Sequence, residues 1–142
     1  TVFEQKPVDR IAARRISERG FAGRVSVAVG DMFTDALPGD CDVHLFSNVL
    51  HDWGVNDVRR LLALSHRALR PGGLLVIHDA FINAGKAGPL PVAEYSALLM
   101  HSTQGKCYSI AEYVSLLREC GFEPGVYRET TADRGFMTAG KV

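Results

Sequence analysis

Apolar and polar positions along the chain switch between a period of two and a period of about 3.6, and each switch marks a change of element. Val2 and Phe3 make a short strand over residues 2–4. Residues 6–19 then place Val8, Ile11, Ala12 and Ile16 on one side of a helix that stops at Gly20. Residues 24–29 alternate as a second strand closed by Gly30-Asp31, and residues 32–40 form a loop around Pro38-Gly39. The third strand covers 41–49, and its apolar run over 43–50 reads as buried. The clearest helix is 55–69. Asn56 is its expected N-cap, Val58, Leu61, Leu62, Leu64 and Leu69 its apolar face, and Arg70-Pro71-Gly72-Gly73 its stop. A fourth strand follows at 74–78, then a Gly- and Pro-rich connection over 83–91 and a helix over 92–101. Ser109 and Glu112 stand at capping-box spacing at the head of a helix over 109–120, which Gly121 ends. Two strands, 125–129 and 135–139, close the chain.

Strands that alternate with helices predict an α/β fold with a doubly wound, mostly parallel sheet. The last two strands are too close for a crossover helix, so one of them closes the sheet antiparallel. At 142 residues the chain is the size of one domain, 1–142. The 16 basic residues balance the 16 acidic ones, which argues against a nucleic-acid binder and for small-molecule partners. No apolar stretch approaches the ~20 residues of a membrane span. Cys41, Cys107 and Cys120 are odd in number and widely spaced, as expected of a protein in the reducing cytoplasm. The first residue is Thr1, at the start of a strand, so the sequence reads as part of something longer.

Four strand-like runs end on an acid or a histidine: Glu4, Asp31, His51 and Asp79. Ligands of open α/β sheets bind outside the carboxyl ends of strands, and an imidazole delivered there is a candidate general base. His51-Asp52-Trp53, directly after the polar pair Ser47-Asn48, is the centre of this pattern.

Three elements in order, Gly30-Asp31-Met32-Phe33, Ser47-Asn48-Val49-Leu50-His51-Asp52-Trp53 and Leu69-Arg70-Pro71-Gly72-Gly73-Leu74-Leu75-Val76, resemble the catalytic domain of S-adenosylmethionine-dependent O-methyltransferases of the small-molecule, natural-product type. The resemblance spans essentially the whole chain and implies a Rossmann-like sheet. It implies that Glu4 binds the cofactor's ribose hydroxyls, that Asp31 and Met32 flank its adenine, and that Ser47 lies near its methionine end. His51 would deprotonate the acceptor hydroxyl and Asp79 would orient His51. Asp52, Trp53, Met100, His101 and Cys107 would border the acceptor pocket. Tyr95 and Met100 either shape that pocket or pack in the core.

The family's first strand and Gly-rich loop would precede residue 1, which leaves two half-sheets with unpaired inner edges. Its N-terminal dimerisation domain would precede residue 1 as well, so the full-length protein is expected to be a homodimer. Relatives acting on phenols often carry a glutamate where Cys107 stands.

A second chemistry uses some of the same residues. His51, Asp79 and His101 form a 2-His-1-carboxylate set, which suits a divalent metal that chelates a 2-oxo acid. Members of the same superfamily methylate the β-carbon of α-keto acids, and His51 would there be a ligand instead of a base. A nicotinamide-dependent oxidoreductase also places an acid after its second strand, but this chain has no Tyr-x-x-x-Lys pair. An inactive fragment or partner-binding remnant is the third class.

Overall fold

The computed structural model describes residues 1–142 and divides them into two units, 1–40 and 41–142. In the first unit, β1 (Val2–Glu4) and β2 (Val27–Val29) pair in parallel around α1 (Val8–Glu18). The end of α1 is set by Gly20 at φ 75°, where an L side chain would be strained. Its N–H bonds Ser17 O at 2.9 Å and the next N–H, of Phe21, reaches back to Ile16 O at 2.9 Å, so the last carbonyls are satisfied in a Schellman turn.

The second unit carries a four-stranded sheet in the order β3-β4-β6-β5, made of β3 (Cys41–Ser47), β4 (Leu69–Asp79), β5 (Phe122–Glu129) and β6 (Gly135–Lys141). β3 and β4 are parallel, while β6 runs against both β4 and β5. The single reversed strand expected from the short 129–135 connection is therefore β6, and it lies inside the sheet between β4 and β5.

One expectation is met and one is corrected here. Among these residues β3 pairs only with β4, which leaves the unpaired inner edge expected of a half-sheet: Val43 and Leu45 are 49% and 62% exposed, and within β3 only Phe46 is buried. Arg70-Pro71-Gly72-Gly73 is also more than a helix stop. Cys41 pairs with Leu69 and Val43 with Leu74, so these four residues bulge out of a strand that already starts at Leu69. Gly72 has φ 73°, and a Cβ on Gly73 would stand 2.9 Å from Arg70 O and 3.3 Å from Asp42 O. The two glycines are what let the bulge fold flat against β3.

The helices of this unit are α2 (Val55–Ala68), α3 (Leu90–Ser102) and α4 (Ile110–Glu119). Gly54, not Asn56, caps α2, and Asn56 accepts instead from Arg59 Nη1 at 3.1 Å. The capping box at Ser109 and Glu112 forms as its spacing predicts. Leu50, Val58, Leu61, Leu75, Tyr113 and Leu117 are fully buried in the core of this unit. No helix is long and apolar enough to cross a membrane.

Candidate active site

β4 ends on Asp79, and the single 3-10 turn Leu50–Asp52 that follows β3 carries His51. Parallel pairing of β3 with β4 puts both strand ends on the same edge of the sheet, so residues far apart in sequence meet. Leu50, fully buried, anchors the turn from below. His51 and Asp79 are 3% and 1% exposed, and the Asp79 carboxylate accepts a hydrogen bond from His51 Nδ1. With the carboxylate oxygen as acceptor, Nδ1 is the donor, and in the neutral imidazole Nε2 then presents its lone pair.

A buried carboxylate is costly unless its oxygens are hydrogen-bonded. Asp79 Oδ1 also accepts from Ala80 N at 2.8 Å, and the Tyr113 hydroxyl faces Oδ2 at 3.4 Å. Burial, reinforced by the nearby Asp79 charge, pushes the Tyr113 phenol well above its ordinary range, so it stays a donor.

The lone pair of His51 is occupied too. The Tyr95 hydroxyl, from the middle of α3, donates to Nε2 at 3.0 Å, and the two rings meet edge to face with centroids 5.3 Å apart. Asp52 Oδ1 lies 3.6 Å from the same nitrogen. The Arg134 guanidinium sits 4.8 Å over the Tyr95 ring and donates through Nε to Asn48 Oδ1 at 2.9 Å. Burial raises the Tyr95 phenol and Arg134 opposes that rise.

The backbone of the histidine turn is held by the segment after α3. Gln104 N donates to Asp52 O at 3.2 Å, and Tyr108 Oη donates to Trp53 O at 2.7 Å. Gly105 packs so closely that a Cβ there would stand 2.1 Å from His51 O and 2.5 Å from Trp53 N. Lys86 and Lys106 both bond Glu112, which also receives Ser109 N at 2.8 Å and ties this segment to α4. Burial alone would raise the Glu112 carboxyl, but the two lysines and Ser109 outweigh it and hold it at about 2.

The remaining expected residues are less tightly grouped. Met100 is 66% exposed and lines a cavity of about 350 Å³ with Val55, Thr103 and Lys106. Cys107 is 1% exposed and packs in an apolar cluster with Ala80, Val92 and Leu99. Burial pushes its thiol to about 11, so it cannot replace a carboxylate as a second acid beside the histidine. A larger cavity, about 590 Å³, is lined by Phe81, Asn83, Val92, Tyr127 and Arg134.

His101 is exposed on the last turn of α3, and no group of three or more His, Cys, Asp or Glu side chains is placed to hold a metal ion. The metal set of His51, Asp79 and His101 is therefore not assembled: both imidazole nitrogens of His51 are engaged, and Asp79 is bonded to one of them.

Ser47 Oγ is paired with His78 Nδ1 at 2.9 Å across the β3–β4 pair. In the first unit, Glu4 ends β1, and Gly30 N bonds its carbonyl at 3.0 Å. A Cβ on Gly30 would run into the Phe3 ring at 2.5 Å. Asp31 Oδ1 accepts from Phe33 N at 2.8 Å, which folds the turn that carries Met32.

Sequence reasoning placed His51 and Asp79 but missed the direct Tyr95 contact, the Asn48–Arg134 tie and the Tyr113 backing. It also passed over Gly105 and Tyr108. Tyr113 falls on the buried face of a capped helix, so periodicity could have located it. Nothing in the local sequence marks Arg134 or Gly105 as neighbours of His51.

Two parallel strands of an α/β sheet thus deliver a buried His–Asp pair whose second imidazole nitrogen faces a phenol hydroxyl. The model of the O-methyltransferase domain family matches residues 1–123, and the chain belongs to that family. It is 36% identical over 121 residues to the 3-hydroxy-5-methyl-1-naphthoate 3-O-methyltransferase of Streptomyces sahachiroi, covering 85% of this chain and 35% of that protein. It is 32% identical to the acetylserotonin O-methyltransferase of Gallus gallus, over 92% of this chain and 37% of the relative. An O-methyltransferase family 2 protein from Planctomyces limnophilus, solved in complex with apigenin, superposes with a TM-score of 0.93 at 35% identity, over 99% of this chain and 42% of that one. Human N-acetylserotonin methyltransferase, solved with S-adenosylmethionine, gives 0.90 at 28% identity, covering 99% and 39%. The chain thus spans between about a third and two fifths of the length of these relatives.

Proposed function

We propose that residues 1–142 form the catalytic domain of a methyltransferase that moves a methyl group from S-adenosylmethionine to a hydroxyl of a small molecule, with His51 as general base. The observation that carries this reading is the buried Asp79–His51 pair, whose Nε2 lone pair already accepts from a phenol. The relatives that use or bind naphthoate, acetylserotonin and apigenin support an aromatic acceptor.

Glu4, Asp31 and Met32 would hold the adenosine part of the cofactor. The Glu4 carboxylate is partly exposed, has two acceptor oxygens and ends a strand, which suits a ribose diol. Asp31 keeps Oδ2 for the adenine amine while Oδ1 holds its own turn. Ser47 would meet the methionine end, its hydroxyl oriented by His78. When bound, the cofactor supplies an electrophilic methyl on a sulfonium. His51 takes the acceptor's proton at Nε2, and Asp79 fixes the tautomer and stabilises the imidazolium that forms. Positioned proton transfer of this kind contributes roughly 10²–10⁴ in rate.

The test is methyl transfer to a panel of phenols by the longest polypeptide that the gene encodes. His51→Ala should lower turnover by at least about 100-fold and leave cofactor affinity nearly unchanged. Glu4→Ala should weaken S-adenosylmethionine binding by about 1–3 kcal/mol in calorimetry. Full activity in the His51 variant would remove the base assignment, and unchanged affinity in the Glu4 variant would remove the ribose assignment.

A further inference from the structure

Nothing in the proposed reaction needs a tyrosine, yet one occupies the nitrogen that must accept the proton. His51 is 3% exposed and lines neither cavity, and its Nε2 side is covered by the Tyr95 hydroxyl at 3.0 Å. An imidazole nitrogen has one lone pair, and here it is filled. An acceptor hydroxyl therefore either expels Tyr95 or passes its proton through it.

The surroundings of Tyr95 oppose expulsion. Its ring is held edge-on against the imidazole and carries the Arg134 guanidinium on its face. Arg134 is itself fixed from two directions: its Nε donates to Asn48 at 2.9 Å, and its carbonyl accepts from Thr130 N at 2.8 Å. The ring also packs on the apolar cluster that holds Val92, Leu99 and Cys107. Asn48, at the end of β3, keeps φ 52° and bonds His78 O through its N–H at 2.9 Å, so the far end of the tie is anchored to the sheet. The whole chain of contacts keeps the Tyr95 oxygen on Nε2.

We propose that Tyr95 is a proton relay between the acceptor hydroxyl and His51. The inference rests on the reading of His51 as the base. In the step, the acceptor O–H bond breaks and its proton moves to the Tyr95 oxygen, while the Tyr95 proton moves to His51 Nε2. The electron pair left on the acceptor oxygen forms the new C–O bond to the methyl carbon. The C–S bond breaks and its pair stays on sulfur, which becomes a neutral thioether. Tyr95 ends the step as it began, neutral, and the positive charge rests on the imidazolium beside Asp79.

A relay matters only for an acceptor that still holds its proton, and this separates it from a packing role. Tyr95→Phe keeps the ring, its Arg134 contact and its place in the cluster, and removes only the oxygen. The experiment compares wild type, Tyr95→Phe and His51→Ala, in the longest polypeptide that the gene encodes. Two acceptors are used, a phenol of ordinary acidity and a nitrophenol already ionised at the assay pH. The expected result is a Tyr95→Phe turnover lowered about 100-fold on the ordinary phenol, with less than about threefold change on the ionised one.

Equal losses on both acceptors would overturn the relay and make Tyr95 a structural residue. Unchanged or faster turnover on the ordinary phenol would overturn it in favour of a tyrosine that merely occupies the acceptor's seat. If His51→Ala is inactive while Tyr95→Phe behaves in either of those ways, the relay alone fails. If His51→Ala keeps wild-type turnover, or wild type methylates neither phenol, the underlying reading fails and the relay with it.

Discussion

Replacing Asp79 by asparagine separates the two things that its carboxylate does. In the proposed reaction one is to hold the proton on His51 Nδ1; the other is to stabilise the charge that would appear on the ring. In serine-protease triads the same replacement lowers turnover about 10⁴-fold, because the amide turns the imidazole to the wrong tautomer. A different outcome is expected here. Oδ1 of Asp79 accepts from both His51 Nδ1 and Ala80 N, and the latter is a backbone donor fixed at 2.8 Å. An amide that turned its NH₂ toward this corner would donate to the other tautomer of His51 but place a donor against the Ala80 N–H and leave that buried donor unsatisfied, at about 1–3 kcal/mol. The amide oxygen should therefore stay at the Oδ1 position, with Nδ2 toward Tyr113 Oη, which can accept as well as donate.

The tautomer survives, and what is lost is the charge-assisted part of one hydrogen bond. Hydrogen bonds to charged groups contribute about 1.5–3 kcal/mol against about 1 for neutral ones, so the transition state loses roughly 0.5–2 kcal/mol, between about 2- and 30-fold in turnover. The assay is single-turnover methyl transfer to a phenol, with the melting temperature as a control on folding. A loss near 10⁴ with an intact fold would show that the Ala80 N–H does not fix the amide. No loss would show that Asp79 does not stabilise a charged ring. Asp79→Ala, which strands His51 Nδ1, Ala80 N and Tyr113 Oη together, should lose both activity and stability.

Gly105→Ala should lower turnover by about 100-fold while leaving cofactor affinity alone, since a Cβ 2.1 Å from His51 O must displace the turn that carries His51, the proposed base; wild-type kinetics would show that the turn tolerates the shift. For Glu112 the folded pKa of about 2 lies below the ordinary 4.5, so its contribution to stability is fully present above about 4.5 and is lost as pH falls through about 2. Acid unfolding of Glu112→Gln, followed by circular dichroism, should show a shallower loss over that window, and an unchanged acid profile would refute the clamp.

Much of the backbone could be read from the sequence because its signals are local. Gly20 and Gly121 end helices at positive φ, Ser109 and Glu112 cap one, and the short link before Gly135 forces a reversed strand. Where the reading slipped, two uses of one local signal competed. Gly72-Gly73 could end a helix or open a bulge, and only pairing with β3 decides between them. The apolar run after residue 42 carries no record of its neighbours, and its burial depends on them.

The site divides along the same line. His51 and Asp79 were legible because each ends a strand, and parallel strands bring their ends together whatever lies between them. For His101 and Cys107 the sequence left the depth open, because local pattern fixes neither burial nor partner: His101 is exposed and Cys107 is sealed in an apolar cluster. Tyr95 shows the limit most clearly. Its helix is apolar on several sides, so periodicity could not say which face meets the sheet. Its contact with His51 spans 44 residues, and the Arg134–Asn48 tie beside it spans 86. Contacts of that range are consequences of the assembled sheet, so the residues that surround His51 become visible only after the strands that position it have been placed.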